Sequence, residues 1–311
     1  MLIYNTPSGN SIHRCEKSII ILFNGKKAVL STGPLNGGYN EKLNSVFIKD
    51  ENPGSGMACE LRAKTYKSHM ELIANELGLD VNATTGLSTA ASMENAAIVT
   101  KSHGETSVTA IVTGGVEING LRAGDPASYD ETKFKKTING TINIILDINV
   151  SLPKETMVKA LIVGTEAKSA AILELMAKSN YSCDIATGSG TDGMIIISNI
   201  ESNIILSDAG GHSKLGELIG IAVKESVKES LDNQTGLNPK SQHNFIRRFE
   251  RYGIDENSLW DAYLKLMSEN FQFYQTHISK IFSNTFSPME NKLSESAKKN
   301  QRFSYNNNDN F

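Results

Sequence analysis

A chain of 311 residues can bury one large core or two modest ones, and length alone does not choose between them. With 39% hydrophobic and 21% charged residues, its composition is that of an ordinary globular protein. A formal net charge of −3 excludes a protein devoted to gripping phosphate backbones, which needs a clear basic excess. The three cysteines, Cys15, Cys59 and Cys183, form no CxxC pair, so neither a disulfide framework nor a thiolate zinc site is indicated. No charged-then-apolar leader opens the chain, and runs such as Ile19 to Phe23 are far too short to span a bilayer. These features predict a reduced, cytoplasmic protein that acts on neither nucleic acid nor membrane.

In chain order, Ser18 to Phe23, Asn24-Gly25 and Lys26 to Thr32 read as strand, turn and strand, a hairpin signal. Glu60 to Leu77 carries a helical stripe (Leu61, Met70, Ile73, Ala74, Leu77) ended by Gly78. Ala96 to Thr100 and Val108 to Thr113 predict strands around a turn at His103-Gly104, and Thr141 to Val150 a further strand rich in β-branched residues. Pro153 opens a helix predicted to run to about Lys178, and Met194 to Ser198 reads as a short buried strand. Ser213 is positioned to cap a helix through Leu231, whose apolar side holds Leu215, Leu218, Ile219, Ala222, Val223 and Val227. Hairpins mixed with long helices predict an α+β layered fold of largely antiparallel sheet covered by helices, and an α/β/β/α sandwich fits as well. The character changes after Asn233. Gln242 to Arg251 and Ser258 to Phe282 read as helices, the second with Leu259, Tyr263, Met267, Phe271, Tyr274, Ile278 and Ile281 at steps of three or four. From about Ser287 the chain is polar and predicted to be disordered. The expected organisation is 1–233, a helical extension 234–286, and a tail 287–311.

Four segments are dense in glycine, hydroxyls and charge. Thr113 to Pro126 holds Gly114, Gly115, Glu117, Asn119, Arg122 and Asp125, a loop whose backbone can approach a ligand closely or simply turn, with Arg122 and Asp125 paired on the surface. No GK[ST] follows its glycines, so it is not a P-loop. Gly164 to Lys168 places Glu166 and Lys168 about 200° apart on a helix, so both cannot face one site squarely; taken alone, a solvated edge explains them better than a buried functional group does. Thr187, Ser189 and Thr191 alternate with glycines, a row of donors suited to a carboxamide or an oxyanion, and Asp192 precedes a buried strand. His212 stands at a predicted helix start, where the macrodipole disfavours imidazolium and leaves a ring able to accept a proton; capping or packing is the commoner use of such a histidine, and only its glycine-rich surroundings argue for function. The six histidines form no HxxxH or HxH pair and no GxSxG elbow is present, so neither a zinc site nor a serine triad can be drawn.

Together the segments resemble the adenosylcobinamide amidohydrolase family. The pieces are VLSTGPLNGG (Val29 to Gly38), GLSTAASMEN (Gly86 to Asn95), VTGGVEINGLRAGDP (Val112 to Pro126), GTINIILDIN (Gly140 to Asn149), GTEAKSAAI (Gly164 to Ile172), ATGSGTDG (Ala186 to Gly193) and GGHSKLGELIG (Gly210 to Gly220). Seven pieces in order are specific where any single one would be weak. Two departures stand out: Ser189 where the family resemblance leads one to expect threonine, and Gly164 where it leads one to expect alanine. The resemblance implies a salvage hydrolase that removes aminopropanol from adenosylcobinamide to give adenosylcobyric acid, with a small-molecule corrinoid as its partner; no cofactor is expected, and the histidine spacing predicts no metal. A homo-oligomer is left open.

Amide hydrolysis needs a nucleophile, oxyanion stabilisation and a proton for the leaving amine. His212, Asp192, Glu166 and Thr191 are the candidate catalytic residues. Thr113, Gly114, Gly115, Glu117, Asn119, Arg122, Asp125, Asn143, Lys168, Thr187 and Ser189 are the candidate substrate-binding residues. Water is the default nucleophile. Thr141 and Thr191 each follow glycine, so a self-processed terminal threonine is an alternative. A corrinoid carrier without hydrolysis and an amidase for another substrate also stay open.

Overall fold

The computed structural model describes residues 1–54, 61–127, 130 and 141–277, with side chains to residue 269. The chain divides into two units, Met1–Tyr252 and a second that begins at Gly253.

The first unit is built on two main sheets. One orders β1 (Leu2–Asn5), β2 (Ser11–Cys15), β3 (Ser18–Leu22), β6 (Ser45–Asp50) and β7 (Thr84–Thr89), antiparallel except for the β6–β7 pair. The other orders β5 (Gly38–Asn40), β4 (Ala28–Ser31), β13 (Gly193–Ser198), β11 (Ile142–Ile148), β9 (Thr106–Gly114) and β8 (Ala97–His103), with only β11–β13 parallel. A two-residue ribbon pairs β10 (Gly120–Leu121) with β12 (Gly188–Ser189).

Side-chain alternation creates the layers. Ile19, Ile21, Val46 and Ile48 of the first sheet meet Val29, Ile111, Ile145, Ile195 and Ile197 of the second in the inter-sheet core. The outward residues Ile20 and Phe47 pack under α1 (Tyr66–Glu76) through Met70, Ile73 and Ala74. The outward residues of the second sheet, among them Val112, Ile144, Leu146 and Ile196, are covered by α2 (Lys154–Glu174) and α3 (Lys214–Thr235). The fold is α+β, a layered α/β/β/α sandwich.

Most predicted elements fall where the pattern put them. The turn at His103-Gly104 joins β8 and β9, with Gly104 at a φ of 56°. Ser213 caps α3, its hydroxyl accepting from Gly216 N, and Pro153 precedes α2 at its N-cap position. One pairing differs. The strands flanking Asn24-Gly25 are not a hairpin, because β3 belongs to the first sheet and β4 to the second. The turn, with Gly25 at a φ of 75°, instead carries the chain across the sandwich. Ile195–Ser198 supplies β4 with its partner, and the β3 ladder is filled by β2 and β6. α1 begins at Tyr66, capped by Thr65; the expected start at Glu60 lies outside the described residues. α4 (Phe245–Phe249) and a 3-10 turn (Glu250–Tyr252) close the first unit. In the second, α5 spans Glu256–His277, with the rings of Trp260 and Tyr263 stacked 5.3 Å apart. The predicted tail, the helix beyond His277 and Cys59 lie outside the described residues, whereas Cys15 and Cys183 are free thiols. Among the described residues no helix is long and apolar enough to cross a membrane.

A buried histidine makes the stability of this fold depend on pH. His69 of α1 accepts from Arg62 N at Nδ1 (3.1 Å) and faces the Glu51 carboxylate with Nε2 (3.2 Å). Burial pushes its pKa down, and this outweighs the upward pull of Glu51. The unfolded chain therefore binds a proton near pH ~6.5 that the folded chain still refuses. The stability due to His69 is complete above that pH and is lost as pH falls through its folded value. Urea midpoints measured across this range should drop more steeply for the wild type than for His69→Gln.

Candidate active site

Three strand ends meet at one edge of the second sheet: the end of β9 at Gly114, the start of β11 at Ile142 and the start of β13 at Gly193. Asp192, just before β13, is the centre of the polar cluster there. Its carboxylate forms an ion pair with Lys168 Nζ. It also accepts from Ile142 N (3.0 Å), Ser189 N (3.0 and 3.1 Å) and Ser189 Oγ (2.5 Å). Lys168 lies on the sheet-facing side of α2 and is only 8% exposed. A charge taken that far from water needs a partner, and the Asp192 carboxylate, itself held by Ile142 N and Ser189, supplies it. A Cβ at Gly188 would collide with Asp192 Oδ2 and Lys168 Nζ, so glycine there leaves room for the pair.

Hydroxyls and amides ring this pair. Thr141 Oγ1 donates to Thr191 O at 2.6 Å. Asn143 Nδ2 donates to Ser88 O on β7 at 2.8 Å, tying the two sheets together at the site's edge. Thr113 lies directly across the β9–β11 ladder from Asn143, and its buried Oγ1 has no hydrogen-bond partner among the described residues. Asn119 is buried, accepts from Tyr181 OH at 2.9 Å and lies beside Gly190. Thr187 Oγ1 accepts from Ala123 N at 2.9 Å. Arg122 donates from Nη1 to Ile185 O (3.0 Å) and from its backbone N to Asp125 (2.8 Å), while Asp125 also takes the Ser179 hydroxyl (2.6 Å). Gly114 and Gly115 lie where β9 runs out, and Glu117 is exposed and pairs with Arg247 at 3.5 Å.

His212 and Glu166 stand elsewhere. Both are exposed, and both line an open groove of about 580 Å³ between α2 and α3, with Val163, Ala170, Ile221 and Lys224. Asp192, Ser189 and Thr191 do not line it. The 200° separation of Glu166 and Lys168 is thus realised as outward and inward directions on α2.

The buried pairing of Lys168 with Asp192 was not predicted, although spacing hinted at it. Gly164, Lys168 and Ile172 lie four apart on the buried stripe of α2, so a lysine there points inward. Gly164 also explains one departure from the family pattern: a Cβ there would meet Met194 Sδ at 2.9 Å, so glycine makes room for methionine. Among the described residues no group of three His, Cys, Asp or Glu side chains is placed to hold a metal ion.

The layers and the site together define an α/β/β/α protein whose acidic, basic and hydroxyl groups gather at one sheet end. Residues 3–239 match the family described as CbiZ, adenosylcobinamide amidohydrolase, and the chain belongs to that family. It is 34% identical over 231 residues to the uncharacterized protein MJ1613 of Methanocaldococcus jannaschii, covering 70% of this chain and 87% of that one. Two solved structures are similar at lower levels. The PH0078 protein of Pyrococcus horikoshii OT3 is 14% identical, covering 80% of this chain and 88% of that one, with a TM-score of 0.35. The L-aminopeptidase D-Ala-esterase/amidase of Ochrobactrum anthropi is 11% identical, covering 75% and 81%, with a TM-score of 0.30.

Proposed function

We propose that this protein hydrolyses the amide joining aminopropanol to the corrin ring of adenosylcobinamide, releasing aminopropanol and adenosylcobyric acid, with Asp192 and Lys168 as the acid–base centre. Family membership supports the reaction class. The observation that carries the choice of site is convergence. Family segments far apart in sequence, Gly86 to Asn95, Val112 to Pro126 (through Asn119, whose carbonyl accepts from Gly190 N), Gly140 to Asn149, Gly164 to Ile172 and Ala186 to Gly193, each bring a group to the Asp192–Lys168 cluster or its rim.

Asp192 takes the proton of the attacking oxygen and returns it to the departing amine. Lys168 Nζ, held at the carboxylate, supplies positive charge where the tetrahedral oxyanion develops. Arg122, partly exposed at the rim, is suited to hold a carboxamide arm of the corrin, and selecting one amide among many comes from such positioning. His212 and Glu166, in their separate groove, stay outside the proton transfers in this reading. His212→Ala should therefore keep turnover within about tenfold of wild type, well short of the loss expected for removing a group that transfers a proton. Incubation of the purified protein with adenosylcobinamide in the absence of ATP should release free aminopropanol. An absolute need for ATP would contradict the proposal.

A further inference from the structure

The hydroxyls around Asp192 are not equivalent, and their hydrogen bonds separate them. Thr141 donates to a backbone carbonyl, which cannot serve as a base. Thr187 Oγ1 accepts from Ala123 N, and Ser88 is engaged with Tyr66 OH at 2.6 Å. Ser189 alone among these has its hydroxyl on a carboxylate, with Oγ 2.5 Å from Asp192 Oδ1. That carboxylate is oriented in turn by Lys168 and by Ile142 N. Nucleophile, base and a third group that holds the base form the arrangement that activates a serine. Ser189 lies just beneath the surface, 7% exposed, with exposed Gly190 and Thr191 after it and no side chain on Gly188 before it.

We infer that Ser189 is the nucleophile and that hydrolysis proceeds through a corrinyl ester on its Oγ. The inference rests on the amide-hydrolase reading above and replaces direct attack by water. Ser189 Oγ bonds to the amide carbon while its proton passes to Asp192. The tetrahedral adduct collapses, the C–N bond breaks, and aminopropanol leaves with the proton from Asp192. Water then attacks the ester carbon, giving one proton to Asp192. The carbon–Oγ bond breaks, Ser189 recovers the proton, and the acid is released, for a net consumption of one water. The local competing role is a loop staple, since Ser189 N and Oγ both bind the carboxylate three residues on.

The full-length protein is mixed with adenosylcobinamide, quenched in acid during the first turnovers, digested and weighed. The peptide containing Ser189 should carry the corrinyl mass. Ser189→Ala should lose ~10³-fold or more in kcat while keeping its circular dichroism spectrum, and Ser189→Thr should restore turnover to within about tenfold, with the ester on the new hydroxyl. No ester in either protein would leave Ser189 a staple and overturn the inference. The inference is overturned by an ester on Thr141, or by near-normal turnover in folded Ser189→Ala; in both cases the hydrolase reading survives. A wild-type protein that releases no aminopropanol overturns both.

Discussion

Replacing Asp192 with asparagine is expected to lower turnover of adenosylcobinamide by ~10²-fold or more, because the amide cannot take up the proton of the attacking group. The substitution is nearly isosteric, and its oxygen can still accept from Ile142 N or Ser189. Its effect on stability comes from Lys168, which would keep its charge beneath the surface without a counter-ion. Breaking a buried pair from one side costs roughly 3–5 kcal/mol, whereas replacing both partners by groups of similar volume can be nearly neutral. Asp192→Asn combined with Lys168→Met should therefore recover much of the lost melting temperature and none of the activity. Steady-state rates and thermal melts of the two single variants and the double check this. Activity restored along with stability would mean that the pair is only a structural pin.

At the opposite end of β11, replacing Asp147 with alanine is expected to cost roughly 2–5 kcal/mol of stability. Asp147 is 2% exposed and accepts from Ser8 Oγ (2.6 and 2.8 Å) and Asn10 Nδ2 (3.2 Å to each oxygen). Lys27, equally buried, donates to Asn24 O (2.5 Å) and Asn199 Oδ1 (3.1 Å) and feels the Asp147 charge. Alanine leaves the fully buried Asn10 amide without its acceptor, which is the costly half of the hydrogen-bond asymmetry, and strips Ser8 of one of its two partners. Burial raises the Asp147 pKa despite its donors. The folded chain thus holds this proton above the free-chain value of ~3.9, so the contribution of Asp147 to stability falls as pH rises from there through its folded value. Urea unfolding should show a large loss for Asp147→Ala and a smaller one for Asp147→Asn, which keeps one acceptor. A change within about 0.5 kcal/mol would show the network to be dispensable.

Strong local periodicity made α2, α3 and the β8–β9 hairpin legible in the sequence. The capping hydroxyl of Ser213 and the turn at Gly104 are short-range facts, and short-range physics decides them. Asn24-Gly25 misled because a turn signal says that the chain reverses, not which sheet receives the next strand. That choice rests on Ile195–Ser198, some 170 residues away in the chain. The site was legible in the same uneven way. Asp192, Lys168 and Ser189 were each singled out, but burial alone turns three suspects into one cluster. His212 read as a catalytic base because a helix start favours a neutral ring, yet its surroundings are the outer groove. Ser8 and Asn10 look like any loop before a strand, and Asp147 sits inside a strand whose β-branched neighbours hide a lone buried carboxylate.

Incubation of the protein with adenosylcobinamide in heavy-oxygen water without ATP, followed by weighing the corrinoid, separates hydrolysis from mere binding. Hydrolysis predicts adenosylcobyric acid with one heavy oxygen in the new carboxylate and unlabelled aminopropanol released alongside. Adenosylcobinamide recovered unchanged in mass, though bound by the protein, would contradict the account and make this chain a corrinoid carrier.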